Sequence, residues 1–158
     1  MNAADIVTIA AGVTGALISG VFFGFSVAVN PGLHALSDAD YLKAMHSINR
    51  KILNPVFLLT FVGSAILVVV AAIMAAGTDG FWLLVAAAAL YVVGLFFVTA
   101  GGNVPLNNRL DAFDPYTADE AALAEMRGVF EKPWNRLHTV RTLAGIAATI
   151  LVFCALAV

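Results

Sequence analysis

The chain has 158 residues, of which 61% are hydrophobic and 11% charged, and its net charge is −2. Soluble domains carry about 25% charged residues, so this composition is that of a membrane protein with room for one small domain, residues 1–158. The slight negative charge leaves no electrostatic footprint for nucleic acid.

Four apolar runs cover about residues 6–29, 55–76, 81–100 and 137–157. Each is close to the ~20 residues a helix needs to cross the hydrocarbon core. The fold expected is all-α: a four-transmembrane-helix bundle with short interfacial helices in the two longer links. The first run lacks a basic leader and follows Asp5, so it reads as a span retained in the mature protein rather than as a secretory signal. Within it, Gly12, Ala16, Gly20 and Gly24 stand four apart. Such a stripe lets helices approach closely, within the bundle or as a seam for a homo-oligomer. Asn30–Pro31 is expected to end this run, because the residue before proline is pushed out of the helical region.

The link after it carries Ser37 or Asp38 as a helix cap, an apolar face including Leu42 and Met45, and Asn54–Pro55 as a kink or boundary. Spans two and three are joined by Gly77 to Gly80 alone and must form an antiparallel hairpin. Gly101–Gly102 is expected to end span three, with Asn103 capping a short helix that has Pro105 in its first turn. A second surface helix would be capped by Thr117, with Glu120 three residues later, and broken by Pro133. Cys154, the one cysteine, reads as a packing residue in the last span.

All eight Lys and Arg fall in the two longer links or at the start of span four. The positive-inside rule makes that side cytoplasmic. The chain is thus expected in the cell membrane as a multi-pass protein with both termini outside the cytoplasm.

Polar groups at a membrane edge are costly and need a partner or a role. Trp134, His138, Arg141 and Gly145 share one helical face. His46 and Asn49 are three apart in the first link, and Asn103 and Asn107 four apart in the second. These residues are expected to converge on one cytoplasmic cavity. The spans hold no set of carboxylates for a di-metal site, so no metal or other cofactor is expected. The alternative is a mononuclear metal on His46, His138 and Glu131.

Four segments, "GVFFGFSVAVNPGL", "MHSINRKILNPVF", "GGNVPLNN" and "WNRLHTVRT", occur in this order. Together they resemble the anthrone oxygenase-like family of small four-helix membrane proteins. The resemblance implies an oxidoreductase acting with molecular oxygen on a flat hydrophobic aromatic, an anthrone- or quinone-like compound entering from the bilayer. It points to Asn49, Asn103, Pro105, Asn107, Trp134 and Arg141 as matching positions. On that reading His138 or His46 is the base, Arg141 stabilises the enolate oxygen as a third catalytic group, and Asn49, Asn103, Asn107 and Trp134 bind the substrate. The competing class is a non-enzymatic membrane scaffold, accessory subunit or carrier of a hydrophobic ligand.

Overall fold

Five helices make up the computed structural model, which describes residues 1–158. They are α1 (Ala3–His34), α2 (Asp38–Ile52), α3 (Pro55–Met74), α4 (Phe81–Asp111) and α5 (Glu120–Ala155). All but α2 are long and apolar enough to cross a membrane. The protein is an all-α, multi-pass membrane protein. Its outer face is apolar, with Leu17, Leu59, Ile66, Val93 and Ile150 exposed, as a lipid solvent requires. Trp82 is 74% exposed at the start of α4, a place suited to an interfacial aromatic.

The helix starts are chemically explicit. Asn2 and Asp5 form a reciprocal capping box on α1. Ser37 accepts from the Asp40 amide at 3.2 Å to start α2. Asn54 accepts from the Phe57 amide at 3.0 Å, with Pro55 in the first turn of α3, so Asn54–Pro55 is a boundary and not a kink. Between α3 and α4, Gly77 takes φ +85°, a conformation that costs other residues dearly.

Three expected helix ends are absent. α1 runs through Asn30–Pro31, α4 through Gly101–Gly102, and α5 through Pro133. In α1 and α4 the cause is a change of winding. Phe25–Val29, just before Pro31, is π-helical, and so is Thr99–Asn103, just before Pro105. A proline ring collides with the carbonyl four residues earlier, and a wider turn moves that carbonyl aside. Within α5, Phe130 and Trp134 stack at 6.2 Å on either side of Pro133, which the helix accommodates without ending. The second link therefore contributes extensions of α4 and α5 rather than separate helices. Thr117 does not cap α5 but donates to Asp114 at 2.8 Å; the cap is Asp119, which accepts from the Ala122 amide at 2.9 Å. The Tyr116 amide and the Thr117 hydroxyl hold the Asp114 carboxyl below its ordinary range.

Two cores stack along the bundle. The larger joins α1, α3, α4 and α5 through Ile18, Phe61, Val68, Leu95 and Val152. The smaller lies at the end rich in Lys and Arg and joins α2, α4 and α5 through Tyr41, Leu42, Met45, Leu110 and Phe130. Burial raises the Tyr41 phenol above its ordinary pKa, so it packs as a neutral ring.

The small-residue stripe of α1 does not act as expected within the bundle. A Cβ on Gly12 would touch Phe153 and Val152, but Gly20 and Gly24 face open space. The tight seam lies elsewhere. A Cβ on Gly145 would sit 2.6 Å from Leu95 Cδ1 and 2.8 Å from Ser19 Oγ, and one on Gly94 would sit 2.6 Å from Ala144 Cβ. α5 thus nests against α1 and α4 one turn beyond Arg141. Cys154 is exposed on the apolar surface rather than packed.

These positions give a direct test by thermal unfolding in detergent. Gly145→Val is expected to destabilise by about 1–3 kcal/mol through overpacking. Gly20→Leu is expected to leave the monomer's stability unchanged, and equal losses for the two variants would contradict this seam.

Candidate functional site

Arg141 is buried, 7% exposed, about one turn inside the apolar part of α5. No carboxylate pairs with it. Its Nε and Nη2 donate to His138 Nδ1 at 3.1 and 2.9 Å, and its Nη1 reaches Thr99 Oγ1 at 3.4 Å. The guanidinium also lies between two aromatic faces, 4.1 Å from the Phe22 ring centre and 5.1 Å from that of Trp134. Cation–π attraction of this kind strengthens where water is excluded.

The network fixes the state of His138. A guanidinium has no acceptor, so Nδ1 must carry the lone pair. Nε2 then carries the proton and donates to Phe22 O at 3.0 Å. His138 is held neutral, and its ring stacks on Trp134 at 4.9 Å with 8° between the planes. Phe22 O lies at the end of the α-helical part of α1, where the π-helical stretch begins, and also accepts from Ser26 Oγ at 3.1 Å.

Trp134 is fixed at its other edge by α4. Its indole Nε1 donates to Asn107 Oδ1 at 2.7 Å, and its backbone carbonyl accepts from Asn103 Nδ2 at 3.2 Å. Neither asparagine caps its own helix. Asn103 is fully buried and serves the α4–α5 contact.

A narrow cleft of about 60 Å³ opens on the other side of Arg141. Its polar walls are Arg141, Asn107 and Asn49, and its aromatic walls are Phe22, Phe25, Phe57 and Trp134. Two guanidinium N–H groups remain uncommitted after the bonds to His138 and Thr99. Asn49 Nδ2 is buried with no partner. Asn107 keeps its amide nitrogen free once its oxygen has accepted from Trp134. The cleft therefore offers several donors, one positive charge and no carboxylate. Such a lining can donate hydrogen bonds to a carbonyl or oxyanion.

The structure thus gathers Asn49, Asn107, Trp134 and Arg141 around the cleft, with His138 and Asn103 behind them. It does not bring in His46. Met45 and Asn49 point into the protein, and His46, one residue on from Met45, turns toward α4. It sits 3.4 Å from Asp111 Oδ1 and edge-on to Tyr116. The metal set of His46, His138 and Glu131 is likewise not assembled. His46 is at Asp111, His138 is engaged on both nitrogens, and Glu131 binds His34 and Arg127. The protein partners of Arg141 are His138 and Thr99. Thr99 was missed, as were Phe22 and Phe25. The available signal for Thr99 was the one aliphatic hydroxyl in an apolar span, one helical turn before Asn103.

A family model described as anthrone oxygenase matches residues 51–151, well over half of the chain. The chain belongs to the anthrone oxygenase family. The matched region of this anthrone oxygenase family member holds Thr99, Asn103, Asn107, Trp134, His138 and Arg141, whereas Asn49 and the whole of α1 lie before it. No curated protein and no solved structure matches the chain.

His138→Ala should leave Nε and Nη2 of Arg141 without their acceptor. The expected loss is about 1–3 kcal/mol of stability in detergent, the penalty for unpaired buried donors. The double variant His138→Ala/Arg141→Met should recover part of it, and additive losses would show that the two side chains do not act as a unit.

Proposed function

We propose that this family member is a membrane-embedded, oxygenase-like enzyme acting on an anthrone- or quinone-like aromatic at the Arg141 cleft. The observation that carries the reading is the cationic, carboxylate-free lining: a buried guanidinium, held by a neutral imidazole and two aromatic faces, with unpaired amide N–H groups beside it. That lining favours charge building up on a ligand oxygen. Stabilisation of developing oxyanions by preorganised donors is commonly the largest catalytic contribution.

In this reading an anthrone enters from the bilayer past Val21 and Phe57, and its carbonyl oxygen meets Arg141, Asn49 and Asn107. Loss of the benzylic proton gives an enolate whose negative charge faces the guanidinium. No residue lining the cleft has a free basic lone pair, so the proton passes to water or hydroxide at the mouth. The ring carbon then forms a bond to dioxygen, the resulting peroxide anion takes up a proton, and the hydroperoxide so formed loses water to leave a second carbonyl. Overall, one anthrone and one dioxygen give one anthraquinone and one water. His138 acts through Arg141 as a positioning residue, and His46 has no part in the site.

A non-enzymatic role, as a membrane scaffold, an accessory subunit or a binder of a hydrophobic ligand, is a second reading. The narrowness of the cleft favours it, since a three-ring ligand needs more room than about 60 Å³ and would have to part the helices to enter.

Oxygen uptake by the protein in nanodiscs, with an anthrone as substrate, separates the two readings. Arg141→Met is expected to reduce kcat by about 10²–10³-fold, the scale for removing an oxyanion donor. Arg141→Lys should rescue poorly because lysine lacks the planar fork. No uptake above protein-free nanodiscs would favour the non-enzymatic role.

We further infer that the Lys- and Arg-rich end is cytoplasmic, with both termini outside. The support is the one-sided placement of the basic residues. With Cys154 replaced by alanine, a cysteine at Asp79 should react with an impermeant maleimide on intact cells and one at Ala118 should not. The reverse pattern would invert the topology.

A further inference from the structure

A second, separate site lies on the flank of the bundle. Between the end of α1 and the first half of α5 runs an open groove of about 670 Å³. Its walls are polar and include His34, Glu131, Lys132, Asn135, Arg136 and Thr139.

The charges in this groove do not cancel. Both oxygens of Glu131 are already engaged, one with His34 Nδ1 and one with Arg127 Nε, each at 2.7 Å. Lys132 and Arg136 stand four apart on α5, exposed, with no carboxylate in ion-pair distance. Like charges at that spacing repel, and an anion shared between them would turn repulsion into attraction. Asn135 lies between them in sequence, and its side-chain oxygen is buried without a partner. With that oxygen turned inward, the amide N–H₂ has no protein partner and is left to donate to an anion in the groove.

The stripe carrying these cations continues inward. Lys132, Arg136, Val140 and Leu143 follow one another along one face of α5, and the last two are exposed apolar side chains. Two cations at the membrane edge followed by bare apolar surface match the two halves of a phospholipid.

We propose that this groove binds the phosphate headgroup of an anionic phospholipid, with Lys132 and Arg136 on the phosphate and Val140 and Leu143 along an acyl chain. The site is independent of the Arg141 cleft and of any activity there.

Native mass spectrometry of the full chain, titrated in detergent with phosphatidylglycerol or phosphatidylcholine, tests it. One phosphatidylglycerol should be retained at about tenfold lower concentration than phosphatidylcholine, given the attraction that each juxtamembrane cation exerts on anionic lipid. Lys132→Ala/Arg136→Ala should abolish that preference. Lys51→Ala/Arg109→Ala removes equal charge from the same end and should preserve it. Equal loss in both double variants would reduce the effect to diffuse charge and overturn the site. Equal retention of the two lipids by the unmodified protein would overturn it as well. Displacement of phosphatidylglycerol by inorganic phosphate alone would show a site for the free ion and overturn the lipid assignment.

Discussion

A guanidinium buried among apolar helices with no carboxylate beside it is the constraint around which this bundle is arranged. An isolated charge in such a place is strongly unfavourable. Arg141 is accommodated by a nitrogen lone pair on His138, a hydroxyl on Thr99, and the faces of Phe22 and Trp134. Each support brings in another helix. The lone pair is available only while His138 donates its other proton to Phe22 O on α1. The hydroxyl comes from α4, and the indole is locked to α4 by Asn103 and Asn107. Gly145 lets α5 approach both partners closely enough for all of these contacts to form.

The winding of the spans is part of the same arrangement. π-helical turns occur where α1 meets His138 and where α4 meets Arg141. They let the chain pass Pro31 and Pro105 without ending the helix. They also help place Phe22 O and the Thr99 hydroxyl where α5 needs acceptors. Backbone irregularity in a membrane is tolerated where protein satisfies the freed groups, and here the side chains that do so are those of the candidate site and its supports.

Charges of opposite sign are kept away from this region. Arg127 joins Asp38, Glu131 and the carbonyls of His34 and Leu36, so that α1, α2 and α5 are tied together at the basic end. Arg50 and His46 face Asp111. Asp38, Asp111 and Glu131 are thereby held on other cations, and no carboxylate lines the Arg141 cleft. A ligand oxygen would meet no competing internal acid.

The number and apolar character of the spans were legible in the sequence, because crossing hydrocarbon imposes them on composition directly. The short 77–80 turn, the Ser37 cap and the helix of the first link were legible for equally local reasons. The shared face of Trp134, His138 and Arg141 also followed from helical spacing alone. What spacing could not give was the partner across the gap. His46 and Asn49 are three apart, yet one turns to Asp111 and the other to the cleft, because the packing of Met45 sets the rotation of α2. The α1 glycines looked like a seam, but the close approach falls at Gly94 and Gly145, since the rotation of each span is chosen by its neighbours. The prolines and Gly101–Gly102 read as helix ends, but tertiary packing and a change of winding carried the helices through. The sequence by itself determined that Arg141 and His138 share one helical face at the start of the fourth apolar run. Only the tertiary structure decided that they bond to each other, because that depends on Phe22 and Thr99 arriving from two other helices.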